Sequence, residues 1–272
     1  MAIPYPQVVL FGDSLFQGAA ETSGGFSFQG ALQTQLMRRF DVVNRGFSGY
    51  NTSNALKALP QIFAPWTDGG PQLKYLVILL GANDASLPRS IDNQHVPLPK
   101  FKENLRKIIT HPNIASHKPK IFLVTPPPLD EIRMKVVDLA NGYSDVSRLS
   151  KTSAAYSQAV RDLAAEYDNV TLIDLCKAIM DVAIAKTPGY EPTPGRPVLG
   201  DPEGGERGYL EQLLPDGLHM NPEAYQIFYG LLRPHFGSEW AGTNDEDKVG
   251  YLLPDWRTAP WLEEDIQTKA SS

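Results

Sequence analysis

The sequence predicts an α/β protein, a three-layer α/β/α sandwich around a central five-stranded parallel sheet. Short apolar segments rich in β-branched residues recur along the chain, and helical apolar periods lie between most of them. Strands that alternate with helices form right-handed βαβ units, which cover both faces of a parallel sheet. The five predicted strands span residues 8–11, 41–44, 76–80, 121–124 and 170–173. This spacing fits the flavodoxin-like strand order 2-1-3-4-5.

Apolar stripes at helical spacing indicate five helices. The stripes fall within residues 28–36, 98–109, 156–167, 175–183 and 225–232. Ser150 and Thr152 are candidate N-caps for the third of these helices. Asn221 followed by Pro222 is a typical start for the last one, because proline is favoured at the first helical position.

We expect a single domain over residues 1–236, because the chain of 272 residues approaches the upper limit for one hydrophobic core. Within it, residues 187–215 are rich in glycine and proline and are interpreted either as a lid or as a mobile surface insertion. Residues 237–272 form a tail that we expect to pack on the body or on a second subunit, which leaves a homodimer open. The large aromatic residues of this tail are Trp240, Tyr251, Trp256 and Trp261.

Composition and charge narrow the function classes. The net charge of −6 argues against a nucleic-acid partner. Cys176 is the only cysteine, so the chain needs no oxidising compartment. The first six residues lack the basic and apolar regions of a secretory signal, and the longest apolar run, residues 75–80, is too short to span a bilayer. We therefore expect a soluble, cytoplasmic protein without integral membrane association.

A candidate nucleophile follows the first predicted strand. Gly12 ends the apolar run and leaves Asp13 and Ser14 at the carboxyl end of the strand, the edge where open α/β sheets bind ligands. A hydroxyl held there, close to backbone N–H groups, is suited to nucleophilic attack. Gly-Asp-Ser alone is also a common turn sequence, and the Gly-x-Ser-x-Gly elbow is absent.

Two further strand ends carry candidate donors for a developing oxyanion. Gly49 follows the second strand, where its backbone N–H could approach a ligand closely, although an ordinary glycine turn is the alternative. Asn83 follows the third strand, and its side chain either donates to a ligand or closes an Asx-turn. We interpret the adjacent Asp84 as a residue that shapes the loop.

Asp216 and His219 precede the last predicted helix. A carboxylate and an imidazole three residues apart can meet across one turn, so Asp216 could fix the tautomer of His219 and leave its other nitrogen for Ser14. A solvated turn with a partly buried histidine is the alternative. Taken together, the four stretches supply a nucleophile, a base, an orienting group and oxyanion donors, which are the groups that acyl transfer requires.

With these residues in place, the chain resembles the GDSL esterases and lipases of the SGNH hydrolase superfamily. Residues 12–15, Gly-Asp-Ser-Leu, resemble the motif that names the family, and the stretches around Gly49, Asn83 and His219 follow in the family's order. Residues 44–51, 81–84, 125–128 and 216–219 are similar to the isoamyl acetate-hydrolysing esterase branch. The resemblance covers residues 8–232 and implies the SGNH hydrolase fold.

The resemblance implies a serine carboxylic-ester hydrolase for small, short-chain acyl esters. Ser14 would be the nucleophile, His219 the base and Asp216 the group that orients it. The oxyanion hole would consist of the backbone N–H groups of Ser14 and Gly49 and the side chain of Asn83. No cofactor or metal is expected. A carbohydrate acetylesterase, a thioesterase, a lysophospholipase and a catalytically silent ligand-binding module remain as alternatives.

The remaining candidate side chains are interpreted as structural. The four other histidines lack metal-ligand spacing; they are His95, His111, His117 and His235. Cys176 lies in a predicted helix without a neighbouring base and is expected to pack in the interior. Asp130 and Glu131 are adjacent charges, and we expect a solvated turn there rather than a pair of catalytic carboxylates.

Overall fold

The structure is a computed structural model that describes residues 4–90, 92–237 and 250–256. Its five strands form one parallel sheet in the order β2-β1-β3-β4-β5. This confirms the α/β class and the strand order predicted from the sequence. The strands are β1 (Gln7–Gly12), β2 (Asp41–Gly46), β3 (Leu73–Leu79), β4 (Lys120–Val124) and β5 (Val170–Ile173).

Helices connect the strands and follow the last one. They are α1 (Ser14–Gln17), α2 (Phe28–Gln35), α3 (Thr52–Ile62), α4 (Leu98–Ile109), α5 (Pro112–Ala115), α6 (Glu131–Ala140), α7 (Ser150–Ala164), α8 (Leu175–Ala185), α9 (Leu210–Leu213) and α10 (Pro222–Leu232). Short 3₁₀ turns lie at Gly18–Ala20 and Arg233–His235. Among the described helices, none is both long and apolar enough to cross a membrane.

The sheet is buried on both faces, as expected of parallel strands between helical layers. Successive side chains of a strand point to opposite faces. Val8 and Leu10 of β1 accordingly pack in the cluster that includes residues of α2, α8 and α10, whereas Val9 and Phe11 pack with α3, α4 and α7. All four side chains are buried. The helices thus fix the strands while leaving the carboxyl edge of the sheet to the loops.

Two helices of ten or more residues, α3 and α6, have no counterpart in the predicted set, and neither do the four-residue helices α1, α5 and α9. Helix α3 carries Pro60 in its interior, a residue that usually ends a helix, and so its sequence does not look helical. Helix α6 begins after Asp130, whose side chain accepts a hydrogen bond from the Arg133 N–H at 3.0 Å. The expectation of a solvated turn at Asp130 is therefore wrong, because this carboxylate is fully buried as a helix N-cap.

The predicted helix starts have different outcomes. Asn221 caps α10 and accepts a hydrogen bond from the Ala224 N–H at 2.7 Å, which confirms this start. The N-cap position of α7 is instead Leu149, whose side chain cannot accept a hydrogen bond. Ser150 and Thr152 as N-caps are therefore wrong, since both residues already lie inside the helix.

Residues 187–215 are anchored to the body of the protein. Leu199, Leu210 and Leu213 from this segment are fully buried in the core. The Arg207 guanidinium donates to the buried Asp130 carboxylate, with Nε 2.7 Å from Oδ2. The segment therefore packs against the beginning of α6, next to the loop that carries Asp216.

The described part of the C-terminal tail contacts the turn after α2. The guanidinium of Arg38 lies 4.3 Å from the ring centroid of Tyr251, within the range of a cation–π contact. The Leu252 N–H donates to the Arg38 carbonyl oxygen at 3.1 Å. Trp256 is 67% exposed, and Trp240 and Trp261 lie outside the described residues.

Candidate active site

Ser14 is the first residue of α1, directly after β1 at the carboxyl edge of the sheet. Asp13 caps this short helix by accepting a hydrogen bond from the Leu15 N–H at 2.9 Å. Gly46 of β2 lies so close to α1 that a Cβ there would be 2.1 Å from the backbone nitrogen of Gln17. Only glycine allows this approach, which lets the helix that begins at Ser14 pack directly against the carboxyl end of β2.

The structure brings Ser14, His219 and Asp216 together. The Ser14 hydroxyl oxygen lies 2.9 Å from Nε2 of His219, although the two residues are 205 positions apart. On the other side of the ring, Nδ1 lies 2.6 Å from Oδ2 of Asp216. The second oxygen of Asp216 accepts the backbone N–H groups of Leu218 and His219, at 2.9 and 2.7 Å. The ring is thus held at one nitrogen and turned towards the hydroxyl with the other.

The charges of this pair support its geometry. Burial favours the neutral form of Asp216, but the hydrogen bonds from the His219 ring and from two backbone N–H groups outweigh it and hold the pKa of Asp216 at about 2. The hydrogen bond to Asp216 in turn raises the pKa of His219 above its ordinary value, against the effect of burial. Asp216 is therefore ionised at neutral pH and stabilises the protonated form of His219.

Gly49 lies in a tight turn after β2. The Tyr50 N–H donates to the Phe47 carbonyl oxygen at 3.0 Å, and Gly49 between them has a φ of +81°, a conformation that favours glycine. The Gln94 side chain donates to the Gly49 carbonyl oxygen at 3.1 Å. The turn is thus fixed from within by its own hydrogen bond and from outside by Gln94.

Asn83 follows β3 and is 4% exposed. Its Nδ2 donates one hydrogen to the Tyr50 carbonyl oxygen at 2.8 Å, which joins the third strand end to the turn that contains Gly49. Its Oδ1 accepts from Nη2 of Arg148 at 2.8 Å. Since the amide nitrogen carries two hydrogens, one remains for a further acceptor.

Asp84 joins the loop after β3 to the start of α3. Its carboxylate accepts the backbone N–H of Thr52 at 3.0 Å and also the Thr52 hydroxyl, at the start of α3. Burial raises the pKa of Asp84 to about 6, although the hydrogen bonds from Thr52 lower it. These contacts are those of a residue that shapes the loop rather than of a group that faces a substrate.

Asp13 combines a position beside Ser14 with an incomplete set of hydrogen bonds. Its side chain is fully buried, and among the described residues its Oδ2 has no hydrogen-bond partner. Burial raises the pKa of this carboxyl to about 7, and the repulsion of Asp84 adds to it. Asp13 is therefore partly protonated near neutral pH, and its charge is sensitive to the groups around the site.

Arg148 and Gln94 also belong to this region, although the sequence does not predict it. Arg148 is buried, and besides Asn83 its guanidinium donates to the Ala82 carbonyl oxygen at 2.8 Å and to Oε1 of Gln94 at 3.1 Å. No motif marks either residue, because an isolated arginine or glutamine in a loop has no pattern. Only the fold shows that they lie behind the strand ends.

The other candidate ligands are used elsewhere in the fold. His111 caps α5, and Nδ1 of His117 accepts the Leu73 N–H at 3.0 Å. Within the described ranges, no group of three or more His, Cys, Asp or Glu side chains could hold a metal ion. Cys176 is partly buried, and burial raises the pKa of its thiol.

A hydroxyl, an imidazole and a carboxylate in series at the carboxyl edge of a parallel sheet are the arrangement that serine hydrolases use for acyl transfer. Residues 10–227 match the model of the GDSL-like Lipase/Acylhydrolase family. The chain belongs to this family and is an ester hydrolase with the SGNH hydrolase fold.

Relatives of known name cover most of the chain. The isoamyl acetate-hydrolyzing esterase 1 homolog of Mus musculus is 35% identical over 94% of this chain and 89% of its own length. The isoamyl acetate-hydrolyzing esterase of Saccharomyces cerevisiae is 29% identical over 93% of this chain and 94% of its own. Among solved structures, a catalytic mutant of an acetylxylan esterase from Geobacillus stearothermophilus shares the fold. It has a TM-score of 0.55 and 18% identity, and the alignment covers 90% of this chain and all of that one.

Proposed function

We propose that this protein is a serine carboxylic-ester hydrolase that acts on small esters with short acyl chains. The observation that carries the proposal is the continuous hydrogen-bonded series from the Ser14 hydroxyl through both nitrogens of His219 to Asp216. The proposed oxyanion hole consists of the backbone N–H groups of Ser14 and Gly49 and the side-chain amide of Asn83.

Acylation begins with attack of the Ser14 oxygen on the ester carbonyl carbon, while Nε2 of His219 accepts the hydroxyl proton. The negative charge that forms on the carbonyl oxygen is stabilised by the three N–H donors. The bond to the alcohol oxygen then breaks, and the alcohol leaves with the proton from His219. The product of this half-reaction is an acyl ester of Ser14.

Deacylation repeats these steps with water as the nucleophile. The water oxygen attacks the acyl carbon while His219 accepts a proton from the water. This proton then passes to the Ser14 oxygen when the acyl–enzyme bond breaks. Asp216 holds the imidazole in one tautomer and stabilises the imidazolium in both halves. The products are a carboxylic acid and the free enzyme.

The preference for small esters is supported by the relatives that are named isoamyl acetate-hydrolysing esterases. A substrate can reach the hydrogen-bonded Ser14–His219–Asp216 series from solvent, because the side chains of His219 and Asp216 are 45% and 38% exposed. Hydrolysis of isoamyl acetate, of p-nitrophenyl acetate, octanoate and palmitate, and of an acetylated sugar would test the preference. We expect isoamyl acetate and p-nitrophenyl acetate to give the highest kcat/KM. A maximum at palmitate would favour a lysophospholipase-like function, and a maximum at the acetylated sugar a carbohydrate acetylesterase function.

Labelling with a fluorophosphonate tests the chemistry directly. We expect folded protein to gain one phosphonyl group on Ser14, located by peptide mass spectrometry, and to lose its esterase activity in proportion. Ser14→Ala is the matched control and should not be labelled. Folded wild-type protein that neither reacts with the probe nor hydrolyses any of the esters would favour a ligand-binding module.

We further propose that the enzyme works in the cytoplasm, which is consistent with a single cysteine and no need for a disulfide. Fractionation of cells that produce the tagged protein would test this, with the activity expected in the cytosolic fraction.

Sedimentation equilibrium of the purified protein would test for a homodimer.

A further inference from the structure

We propose that Arg148, assisted by Gln94, is a positioning residue for the oxyanion hole: it orients the Asn83 amide so that one Nδ2 hydrogen faces the reacting carbonyl. This inference rests on the proposed function and extends it to residues that do not contact the substrate. The inference rests on one series of hydrogen bonds. The buried Arg148 guanidinium donates to Asn83 and to Gln94, and Gln94 donates to the loop that contains Gly49.

Arg148 occupies a buried position next to the loop that carries Asn83. Its side chain is buried, 8% exposed as a residue, in a loop before α7. A buried guanidinium is costly unless its N–H groups are paired. Here they donate to the carbonyl oxygen of Ala82, to Oδ1 of Asn83, to Oε1 of Gln94 and to the hydroxyl of Ser147. Two of these acceptors belong to the stretch directly after β3.

The contacts of the Asn83 amide determine its orientation. An asparagine amide can turn over by 180° and exchange its oxygen for its nitrogen. The guanidinium has only donors, so the atom of Asn83 that faces Arg148 must be the oxygen. The nitrogen then lies on the opposite side, where it donates to Tyr50 and keeps one hydrogen free. A flipped amide would place Nδ2 against the guanidinium and Oδ1 against the Tyr50 carbonyl oxygen, so Arg148 and Tyr50 together select the orientation that presents an N–H to the oxyanion, and loss of Arg148 removes one of these two constraints.

Gln94 connects Arg148 to the other loop. Gln94 accepts from Arg148 through Oε1 and donates through Nε2 to the carbonyl oxygen of Gly49, at 3.1 Å in each case. The Gln94 backbone carbonyl accepts from the side chain of Asn51, which caps α3. One guanidinium thereby contacts the Asn83 amide directly and is linked through Gln94 to the Gly49 turn, which the Tyr50–Phe47 backbone hydrogen bond fixes independently of Arg148.

The expected consequence is a loss in kcat rather than in KM. Hydrogen bonds to the oxyanion strengthen as charge develops in the transition state, so misplaced donors mainly slow the chemical step. Arg148→Met should lower kcat with p-nitrophenyl acetate roughly 10- to 100-fold and change KM less than about 3-fold. The loss should not exceed that of Asn83→Ala, on the order of 100- to 1,000-fold, because Arg148 acts through Asn83.

A double-mutant cycle separates this role from a merely structural one. Arg148→Met is combined with Asn83→Ala, and kcat is measured for the wild type, both single variants and the double variant. We expect Arg148→Met to cost less than about 3-fold once Asn83 is already alanine. An equal loss in both backgrounds would overturn the proposal, since Arg148 would then act independently of Asn83.

Arg148→Lys keeps a buried positive charge but cannot make the forked contacts, and it serves as the second variant if Arg148→Met fails to fold. We expect it to lower kcat with the same dependence on Asn83; a wild-type kcat would overturn the proposal by showing that charge alone suffices. Arg89→Met is the matched control, because Arg89 lies on the same side of the site but stacks on Tyr143, 4.0 Å from its centroid. It should retain kcat within about 2-fold, and a loss as large as that of Arg148→Met would contradict the inference.

The wild-type enzyme distinguishes the two proposals. A wild type that is neither labelled by a fluorophosphonate nor active on any ester would refute the proposed function. If the wild type is active and labelled, but the kcat losses of Arg148→Met and Asn83→Ala simply multiply in the double variant, only the positioning role is refuted.

Discussion

Asn83 is the residue whose substitution most directly probes the oxyanion hole. Asn83→Ala removes one of the proposed donors to the oxyanion, and loss of such a donor typically costs roughly 2.7–4 kcal/mol of transition-state stabilisation. Turnover of p-nitrophenyl acetate should therefore fall on the order of 100- to 1,000-fold, while the far-UV circular dichroism spectrum stays that of the wild type. A folded variant with nearly normal turnover would remove Asn83 from the site.

His219 determines the expected pH dependence. The imidazole must be neutral to accept the Ser14 proton, and the hydrogen bond to Asp216 raises its pKa above 6.5. The value of kcat/KM should thus fall as the pH decreases, and the midpoint of this decrease should lie above pH 6.5. A pH profile of kcat/KM that stays flat down to pH 5 would contradict the role of His219 as base.

Asp216→Asn tests the cause of that shift. Loss of the carboxylate should lower the pKa of His219 and move the acidic limb of the profile to lower pH, while the wrong tautomer lowers kcat on the order of 10³- to 10⁴-fold. Measurement of the complete pH profile of the variant would show both changes. A limb that stays at the wild-type pH would mean that another group titrates.

Asp13 has a consequence for stability. A carboxyl whose pKa is raised by burial holds its proton in the folded state after the unfolded chain has lost it, so it costs stability as the pH rises from about 4 to about 7. Asp13→Asn lacks this loss. The free energy of unfolding of the variant relative to wild type should therefore increase between pH 4.5 and pH 8, on the order of 1–4 kcal/mol.

Urea unfolding at both pH values would measure this difference. Asp168→Asn is the control, since it makes the same chemical change at an exposed position. A relative stability of Asp13→Asn that does not change with pH would show that Asp13 has the same charge in the folded and the unfolded chain.

At the scale of the elements, the start of α6 supports the loop that carries Asp216. The Asp130 N–H donates to the Gly217 carbonyl oxygen at 2.9 Å, and Nε of Arg133 donates to the Pro215 carbonyl oxygen at 2.9 Å. Arg207 from the long segment pairs with the Asp130 carboxylate. The glycine- and proline-rich residues 187–215 therefore help to hold the loop that carries Asp216.

Arg207→Met should destabilise the protein because it leaves the buried Asp130 carboxylate without its charge partner. Breaking such a pair typically costs 3–5 kcal/mol, and the 25% exposure of the Arg207 side chain reduces this to about 2–3 kcal/mol. Urea unfolding at pH 7.5 would measure it. Arg196→Met, which removes the more exposed pair with Glu206, is the control and should cost about 1 kcal/mol or less. Equal effects of the two substitutions would contradict this account of α6.

The sequence predicts the elements unevenly. All five strands are found near their observed positions, because buried parallel strands are short apolar runs; the third begins at Leu73, three residues before the prediction. The helix with Pro60 and the helix that follows Asp130 are missed, because one carries a helix breaker and the other starts at a charge that looks solvated. In both cases tertiary burial outweighs the local signal.

At the scale of the whole molecule, the parallel sheet explains why the sequence could predict that residues of the candidate site lie close together. Ser14, Gly49 and Asn83 each follow a strand, and parallel strands bring their carboxyl ends to one edge. Three partners of Arg148 lie 54–66 positions away, namely Ala82, Asn83 and Gln94. Neither Arg148 nor Gln94 belongs to a motif, so their arrangement depends on the complete fold. Motifs at strand ends can be recognised in the sequence, whereas side chains such as Arg148 and Gln94, which contact those motifs from distant loops, cannot.

The most direct test of the assembled site is a crystal structure of the enzyme with a phosphonyl group on Ser14. The phosphonyl oxygen stands for the oxyanion and is expected within about 2.7–3.1 Å of the Ser14 and Gly49 backbone nitrogens and of Nδ2 of Asn83, with His219 beside the leaving-group position. A phosphonyl oxygen that points into solvent, or that contacts neither Gly49 nor Asn83, would contradict the claim that the fold gathers these stretches into one catalytic site.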